Sequence, residues 1–359
     1  MSDGVRIRRA ADAEQQPVET LGGSYVTETR GKQSAASAPS AAPRRRWSPM
    51  GLAALALGLA VPLVAREYYL YVMALVVIEA TAIIGLSYII WNTELVSVGH
   101  AAIQGIGAYG AAVAMNQWGL GFIPALLIGC VAAGVIGLIV AVASVRVKGP
   151  YFTVVTLGLA WSVPEVLLVF PEITGGYNGI SVPETALWEG GHQALFYYCG
   201  LAVLAGAIFL VRRMDRSRVG RALLMVRENE IAARTLGISP ARVKILAITF
   251  GNVLTGCSGV LLLYLVTTIA PSTFGFSQSV FFLTGSIVGG IASPIGGLVG
   301  ALFTVLVPQA LSDLSGLASI VMGALLFAVL LLAPNGITPE IVKLGRRFLG
   351  GRRGGGDAH

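Results

Sequence analysis

The chain has 359 residues, 55% of them hydrophobic and only 12% charged. A soluble domain carries roughly a quarter of its residues as charges, so this composition excludes one and requires a polytopic membrane protein. The formal charge of +7 sits in clusters that flank apolar stretches instead of lining one folded face, which excludes a nucleic-acid surface.

Residues 1–47 are polar and contain the low-complexity run Ser34–Pro43, so a disordered cytoplasmic extension is expected there. It is too long and too polar ahead of the first span for a signal peptide. Apolar stretches at about 50–65, 68–91, 99–116, 121–143, 150–170, 194–211, 243–269, 275–292, 295–312 and 315–333 predict ten spans. Each is near the roughly 20 residues that a membrane helix needs, although the third, eighth and ninth are short and glycine-rich. The fold class is therefore an all-α polytopic membrane protein of about ten transmembrane helices. A transmembrane domain over 48–335 includes a cytoplasmic loop at about 212–242, and a basic cytoplasmic tail follows over 336–359.

Counting crossings tests this topology. Arg44, Arg45 and Arg46 put the N-terminus inside; ten crossings then put Arg146 and Lys148, the arginine-rich loop 212–244 and the tail inside as well. The loop 172–193 has Glu172, Glu184 and Glu189 with no Lys or Arg, and falls outside. The turn 92–98 holds only Glu94, which leaves 99–116 open to being re-entrant or broken.

Ionisable groups inside a bilayer are expensive. Glu79 lies deep in the second span; Glu165 lies in the fifth, directly after Pro164, whose missing N–H frees a carbonyl. Either carboxyl could serve an ion-coupled secondary transporter, or be a hydrogen-bonded structural group. His100 stands near an inner helix end, where a cap or structural hydrogen bond is expected. Two glycine-rich segments, Ser97–Gly110 and Gly285–Gly300, lie about 190 residues apart. Gly99, His100, Gly105, Gly107, Tyr109, Gly289, Gly290, Gly296 and Gly297 are candidates for a translocation pathway built on broken helices. Close helix packing through GxxxG spacing is the alternative for the glycines. Gly175, Gly176, Tyr177, Asn178 and Gly179 form a turn-rich loop expected at the outer face, either a hairpin or a docking surface.

Within the arginine-rich loop, Asn229 is placed to cap a short helix. Glu230 suits its positive end, Arg234 its negative end, and Gly237 a left-handed stop. Ser239 and Pro240 then open a second helix as cap and first residue. Two helical turns are marginal alone in water, so Glu230, Ile231, Ala232, Ala233, Arg234, Leu236 and Gly237 need a surface to pack on. Cys130, Cys199 and Cys257 lie in apolar runs without metal-ligand spacing and imply neither disulfide nor metal. There is no GxxxxGK[ST] phosphate loop and no nucleophile–base pair, so catalysis by this chain is not expected.

Four blocks in order resemble the permease of bacterial branched-chain amino acid ABC importers, in the larger of that system's two permease types. They are Val96–Tyr109, Lys148–Leu157, Thr174–Ile180, and Val219–Ala222 running into Glu230–Gly237; the ending Ala333–Gly336 agrees. The stretch Glu230–Gly237 resembles the Glu-Ala-Ala…Gly loop that docks in a cleft of the ATPase subunit. The resemblance implies a second related permease, two cytoplasmic ATPase chains carrying ATP and magnesium, a substrate-binding protein outside, and the bacterial inner membrane with both termini cytoplasmic. No cofactor is implied on this chain. Trp161 stands where the family often has a carboxylate or amide, and Tyr177 where it often has proline.

Overall fold

The computed structural model describes residues 58–59, 62, 66–145, 150–182 and 193–311, with 323–324, 327, 331 and 336–338 near the C-terminus. The predicted N-terminal extension, most of the first and tenth predicted spans, Arg146, Lys148 and the tail beyond 338 lie outside the described residues. The elements run α1 Glu67–Thr93, α2 His100–Trp118, α3 Phe122–Val145, α4 Pro150–Val169, α5 Pro171–Thr174, β1 Ile180–Ser181 and α6 Gln193–Arg216. Then come α7 Arg218–Glu228, α8 Glu230–Thr235, α9 Pro240–Val266, β2 Thr268–Ile269, α10 Phe276–Gly289 and α11 Pro294–Ala310.

The eight predicted spans from 68–91 to 295–312 thus each contain one helix. Among the described residues, α1, α3, α4, α6 and α9 are long and apolar enough to cross a membrane. One expectation is corrected: α2 is a single continuous helix over 19 residues, so Ser97–Gly110 holds no break within its helix. The irregular backbone lies before it, at 94–99.

Apolar character around the whole circumference marks a helix for the interior, and α1 is buried along most of its length. Its partner at the centre is α9. The third helix turns Ala125, Gly129, Ala133, Gly137 and Ala141, an i,i+4 row of small residues, inward. Gly129 and Gly134 face Val260 and Val253 of α9. The opposite stripe of α3, including Ile123, Leu127, Val131 and Val135, is exposed.

The architecture contains a repeat. Helices α1 and α9 are both 27 residues long, and each ends on a residue in the left-handed region, Glu94 (φ 58°) and Thr267 (φ 60°). Among the described residues these are the two non-glycine positions with positive φ. A non-helical lead follows Glu94, and the short strand β2 with a 3-10 turn over Pro271–Phe274 follows Thr267; each lead ends at a glycine N-cap (Gly99, Gly275) and a shorter helix (α2, α10). Long helices start at 67 and 240 and caps fall at 94 and 267, so the two units are 173 positions apart. They run in opposite directions: Gly85 faces Thr255 while Tyr88 meets Phe250, so α1 and α9 are antiparallel. Each short helix lies alongside the long helix of the other unit. His100 and Gln104 meet Thr255 and Ser258; Gln278 and Ser286 meet Glu79 and Ser87.

Side-chain contacts sort the loops into two ends. At one, Thr153 donates to Val96 O (3.0 Å), the Val98 N–H donates to Thr156 Oγ1 (3.1 Å) and Arg227 covers Trp91. At the other, β1 and β2 pair antiparallel, Ile180 opposite Ile269, Asn116 donates to Ser181 O (2.9 Å) and Gln309 donates to Tyr68 Oη (2.6 Å). The same segments are grouped by the charge count. The second glycine-rich segment forms the turn between α10 and α11, with Gly290 at φ 96°.

Candidate functional site: a half-helix crossing and a loop helix

Glu79 is near the middle of α1, and Thr255 and Ser258 are just past the middle of α9. Since α2 begins beside Thr255 and α10 begins with Gln278 beside Glu79, both short helices start well within the helical layer. Non-helical backbone at membrane depth must be covered by protein. Here α4 covers both leads: Thr153 and Thr156 hold 96–98, and Trp161 stacks on Phe276 with ring centroids 6.2 Å apart.

At the crossing the buried side chains form one polar chain. His100 Nε2 meets Thr255 Oγ1 at 2.5 Å. Ser258 Oγ donates to Thr255 O (2.7 Å), so its oxygen is left to accept from Gln104 Nε2 (3.2 Å). That fixes the Gln104 amide, with its nitrogen toward Ser258 and its Oε1 buried without a partner. The Gln104 amide is also a hydrogen-bonding neighbour of Glu79, whose Oε1 accepts from Gln278 Nε2 at 3.4 Å. Across the helix starts, the Ala101 N–H donates to Ser279 Oγ (3.1 Å).

The glycines proposed for a pathway back onto other elements of this chain. Gly99 packs on the Thr156 backbone, Gly105 on the Phe274 ring, and Gly107 on the Gly256 backbone. Gly289 packs on Gly296, Gly296 on Gly290, and Gly297 on Ile84. At Gly107 an added Cβ would lie 2.5 Å from Gly256 O, so only hydrogen fits. Tyr109 is buried and donates from Oη to Ile269 O (3.3 Å). Glu165 differs from Glu79 in its setting, for it lies on the exposed side of α4 beyond Pro164.

At the outer end by the charge count, Gly175, Gly176 and Gly179 all take positive φ and Tyr177 is 86% exposed. Asn178 closes the single 3-10 turn between them, and Gly179 rests on the Ile269 carbonyl, so this loop is seated on β2.

The loop helix α8 sits at the opposite end. Asn229 Oδ1 accepts from the N–H groups of Ile231 and Ala232, both at 3.0 Å. Its other end is a Schellman motif: Ile238 N–H donates to Ala233 O and Gly237 N–H to Arg234 O, both at 3.0 Å, with Gly237 at φ 78°. Ser239 occupies the N-cap position of α9, but its side chain makes no capping bond there, a correction to the expected role. Glu230 accepts from Lys244 (3.1 Å) and Arg234 (2.8 Å). These bonds, Lys244 first, hold its carboxyl below the ordinary value. Ala233 is buried against the body of the protein, while Ile231 and Leu236 are 78% and 65% exposed. A helix fixed at both ends thus presents two bare apolar side chains.

The residues that sequence reasoning passed over are Gln104 and Gln278, 174 positions apart, together with Trp91, Thr156 and Thr255. No local pattern marks any of them, because the role of each depends on a partner far along the chain.

Residues 68–332 match the family described as the branched-chain amino acid transport system / permease component. The High-affinity branched-chain amino acid transport system permease protein LivM of Escherichia coli (strain K12) is 29% identical over 314 residues, 80% of this chain and 74% of that protein. Its namesake in Salmonella typhimurium (strain LT2) is 29% identical over 282 residues, covering 71% of this chain and 66% of its own length. The Probable branched-chain amino acid transport permease protein LivM of Methanocaldococcus jannaschii is 25% identical, covering 60% and 68%. No solved structure matches. The family match begins one residue into α1 and runs past α11, taking in both copies of the repeat and the loop helix together. The chain is a multi-pass membrane protein and belongs to the branched-chain amino acid transport system permease component family.

Proposed function

We propose that the chain is one of two permease subunits in an ATP-driven importer for branched-chain amino acids, with both termini on the cytoplasmic side of a bacterial inner membrane. The observation that carries this reading is α8. It is capped at both ends, seated through Ala233, and bares Ile231 and Leu236 at the end that holds the arginine-rich loop. Two ATPase chains carrying ATP and magnesium supply the hydrolysis, because this sequence has no phosphate loop of its own. Their closure moves α8, and α8 changes access to the path between this chain and a related permease. A substrate-binding protein lands on the opposite face, where Tyr177 projects.

The test is reconstitution of the chain with its second permease, two ATPases and binding protein in vesicles. ATP-dependent uptake of leucine, isoleucine or valine is expected, and no ATP hydrolysis by this chain alone. Uptake by the single chain under an ion gradient would replace this reading with an ion-coupled secondary transporter using Glu79 or Glu165.

A further inference from the structure

The exposed face of α6 changes character at one end. Leu195, Ala202, Phe209, Arg213 and Arg216 are all exposed and recur at helical spacing, so they form one stripe along the helix. Leu195 and Arg213 are 18 positions apart, a rise of about 27 Å, close to the roughly 30 Å of bilayer hydrocarbon. Phe209 and Leu210 are also exposed, one turn before Arg213. The stripe is apolar over the depth of the acyl chains and turns to arginine at the depth of the headgroups.

The elbow after α6 gathers more charge there. Ser217 Oγ accepts from the Gly220 N–H (3.2 Å) and caps α7. Gly220 packs on the carbonyls of Met214 and Asp215, where only hydrogen fits, so α7 starts hard against the end of α6. Arg221 Nη1 donates to Arg216 O (3.1 Å), which brings its guanidinium back to that end. Arg218 and Arg221 are exposed like Arg213 and Arg216, so four arginines crowd into nine residues. The acidic residue among them, Asp215, is within electrostatic reach of Tyr88 on α1, and the next, Glu228, lies two turns beyond Arg221. One cation is enough to favour the negative end of a helix. Four on one elbow repel one another and favour an anion with several acceptor oxygens.

We infer that the α6–α7 elbow binds the phosphate of an anionic phospholipid, with the acyl chains lying along Phe209 and Leu210. A phosphodiester is acceptor-only and takes guanidinium N–H groups in pairs. The lipid is favoured over an acidic protein surface because Arg213 continues the apolar stripe, at the edge of the bilayer. Clustered arginines directly beyond a membrane helix suit that partner. The site does not depend on the importer reading; it needs only that α6 crosses the membrane.

The experiment places a fluorophore on Phe209→Cys in the full-length chain, with Cys130, Cys199 and Cys257 replaced, in vesicles of equal parts phosphatidylglycerol and phosphatidylcholine. Either lipid carries brominated acyl chains, which quench on contact, so the two samples differ only in which lipid reports. Phosphatidylglycerol is expected to be enriched about fivefold or more over phosphatidylcholine at position 209. A fluorophore on Leu195→Cys, on the same stripe in the opposite leaflet, is expected to show no enrichment. Arg213→Gln/Arg218→Gln/Arg221→Gln should abolish the enrichment at 209. That variant keeps Arg212, Arg216, Arg227, Arg234, Arg242 and Lys244 to hold the orientation. No enrichment at 209 in the otherwise unchanged chain overturns the inference, as does equal enrichment at 195 or enrichment that survives the triple substitution. If the triple variant does not insert, salt decides: loss of the enrichment at about 0.5 M supports the site, and its persistence overturns it.

Discussion

The Arg227 guanidinium carbon lies 3.5 Å from the centroid of the Trp91 ring. Arg227 is in the last turn of α7, just before Asn229 caps α8, and Trp91 is in the last turn of α1. The loop helix is therefore tied to the end of the long helix that feeds the non-helical lead into α2. Displacement of α8 has a direct route to the half-helix crossing.

Breaking that tie should uncouple the protein without unfolding it. A cation–π contact at a partly exposed site contributes about 0.5–1 kcal/mol, too little to cost insertion. Trp91→Ala is expected to leave ATPase co-purification intact and to reduce the stimulation of ATP hydrolysis by loaded binding protein. Trp91→Phe should restore much of it. Equal stimulation in wild type and Trp91→Ala would remove this contact from the route.

Docking is tested at the ends of α8. Gly237 has φ 78° with open space around it, so Gly237→Val strains the backbone without an internal clash. A β-branched residue in the left-handed region costs about 1–2 kcal/mol. Arg234→Glu removes a bond to Glu230 and puts negative charge at the negative helix end. The double variant should insert and express normally but lose ATPase co-purification. Full ATP-driven uptake by it would mean that α8 is only a surface loop.

Acidity should loosen the same helix. Lys244 and Arg234 lower the Glu230 pKa below its ordinary 4.5, so the folded state binds this proton less readily than the unfolded chain. The stabilisation is complete above the unfolded value and disappears as pH falls through the lowered one. Hydrogen exchange of the α8 amides should therefore be flat around neutrality and rise, after correction for intrinsic rates, only below about pH 4.5. Glu230→Gln should abolish that step.

Orientation is open to labelling. In a variant with Cys130, Cys199 and Cys257 replaced, a cysteine at Asn178 should react with an impermeant reagent from outside, and one at Glu230 should not. The reverse pattern would turn the whole topology over and remove α8 from the side where ATPases work.

Long apolar runs made the spans legible, because a helix enclosed by other helices or by lipid needs apolar side chains around its circumference. They do not record helix ends. Helix α6 continues to Arg216, five residues past the predicted 211, because arginines extend a helix into water without breaking it. The ends of α8 were readable because Asn229 and Gly237 are the residue types that such caps favour. Glu94 and Thr267 are not usual left-handed caps, so the two turns that create the half-helices had no local signal. Glycine content pointed toward 285–300 as the counterpart of 97–110, whereas the geometric counterpart starts at Gly275. The units share an order of long and short helices and their caps, and few residues.

That duplication has a consequence for how the chain enters the membrane. No Lys or Arg occurs between Lys244 and Lys343, a stretch that holds nearly all of the second unit and α11. A unit with no basic residue in its own turns takes its direction from the clusters that flank it. The earlier of these is the arginine-rich loop, synthesised just before it. The loop that presents α8 therefore also serves as the biosynthetic anchor for the second half, and stripping its arginines would produce molecules with that half inverted.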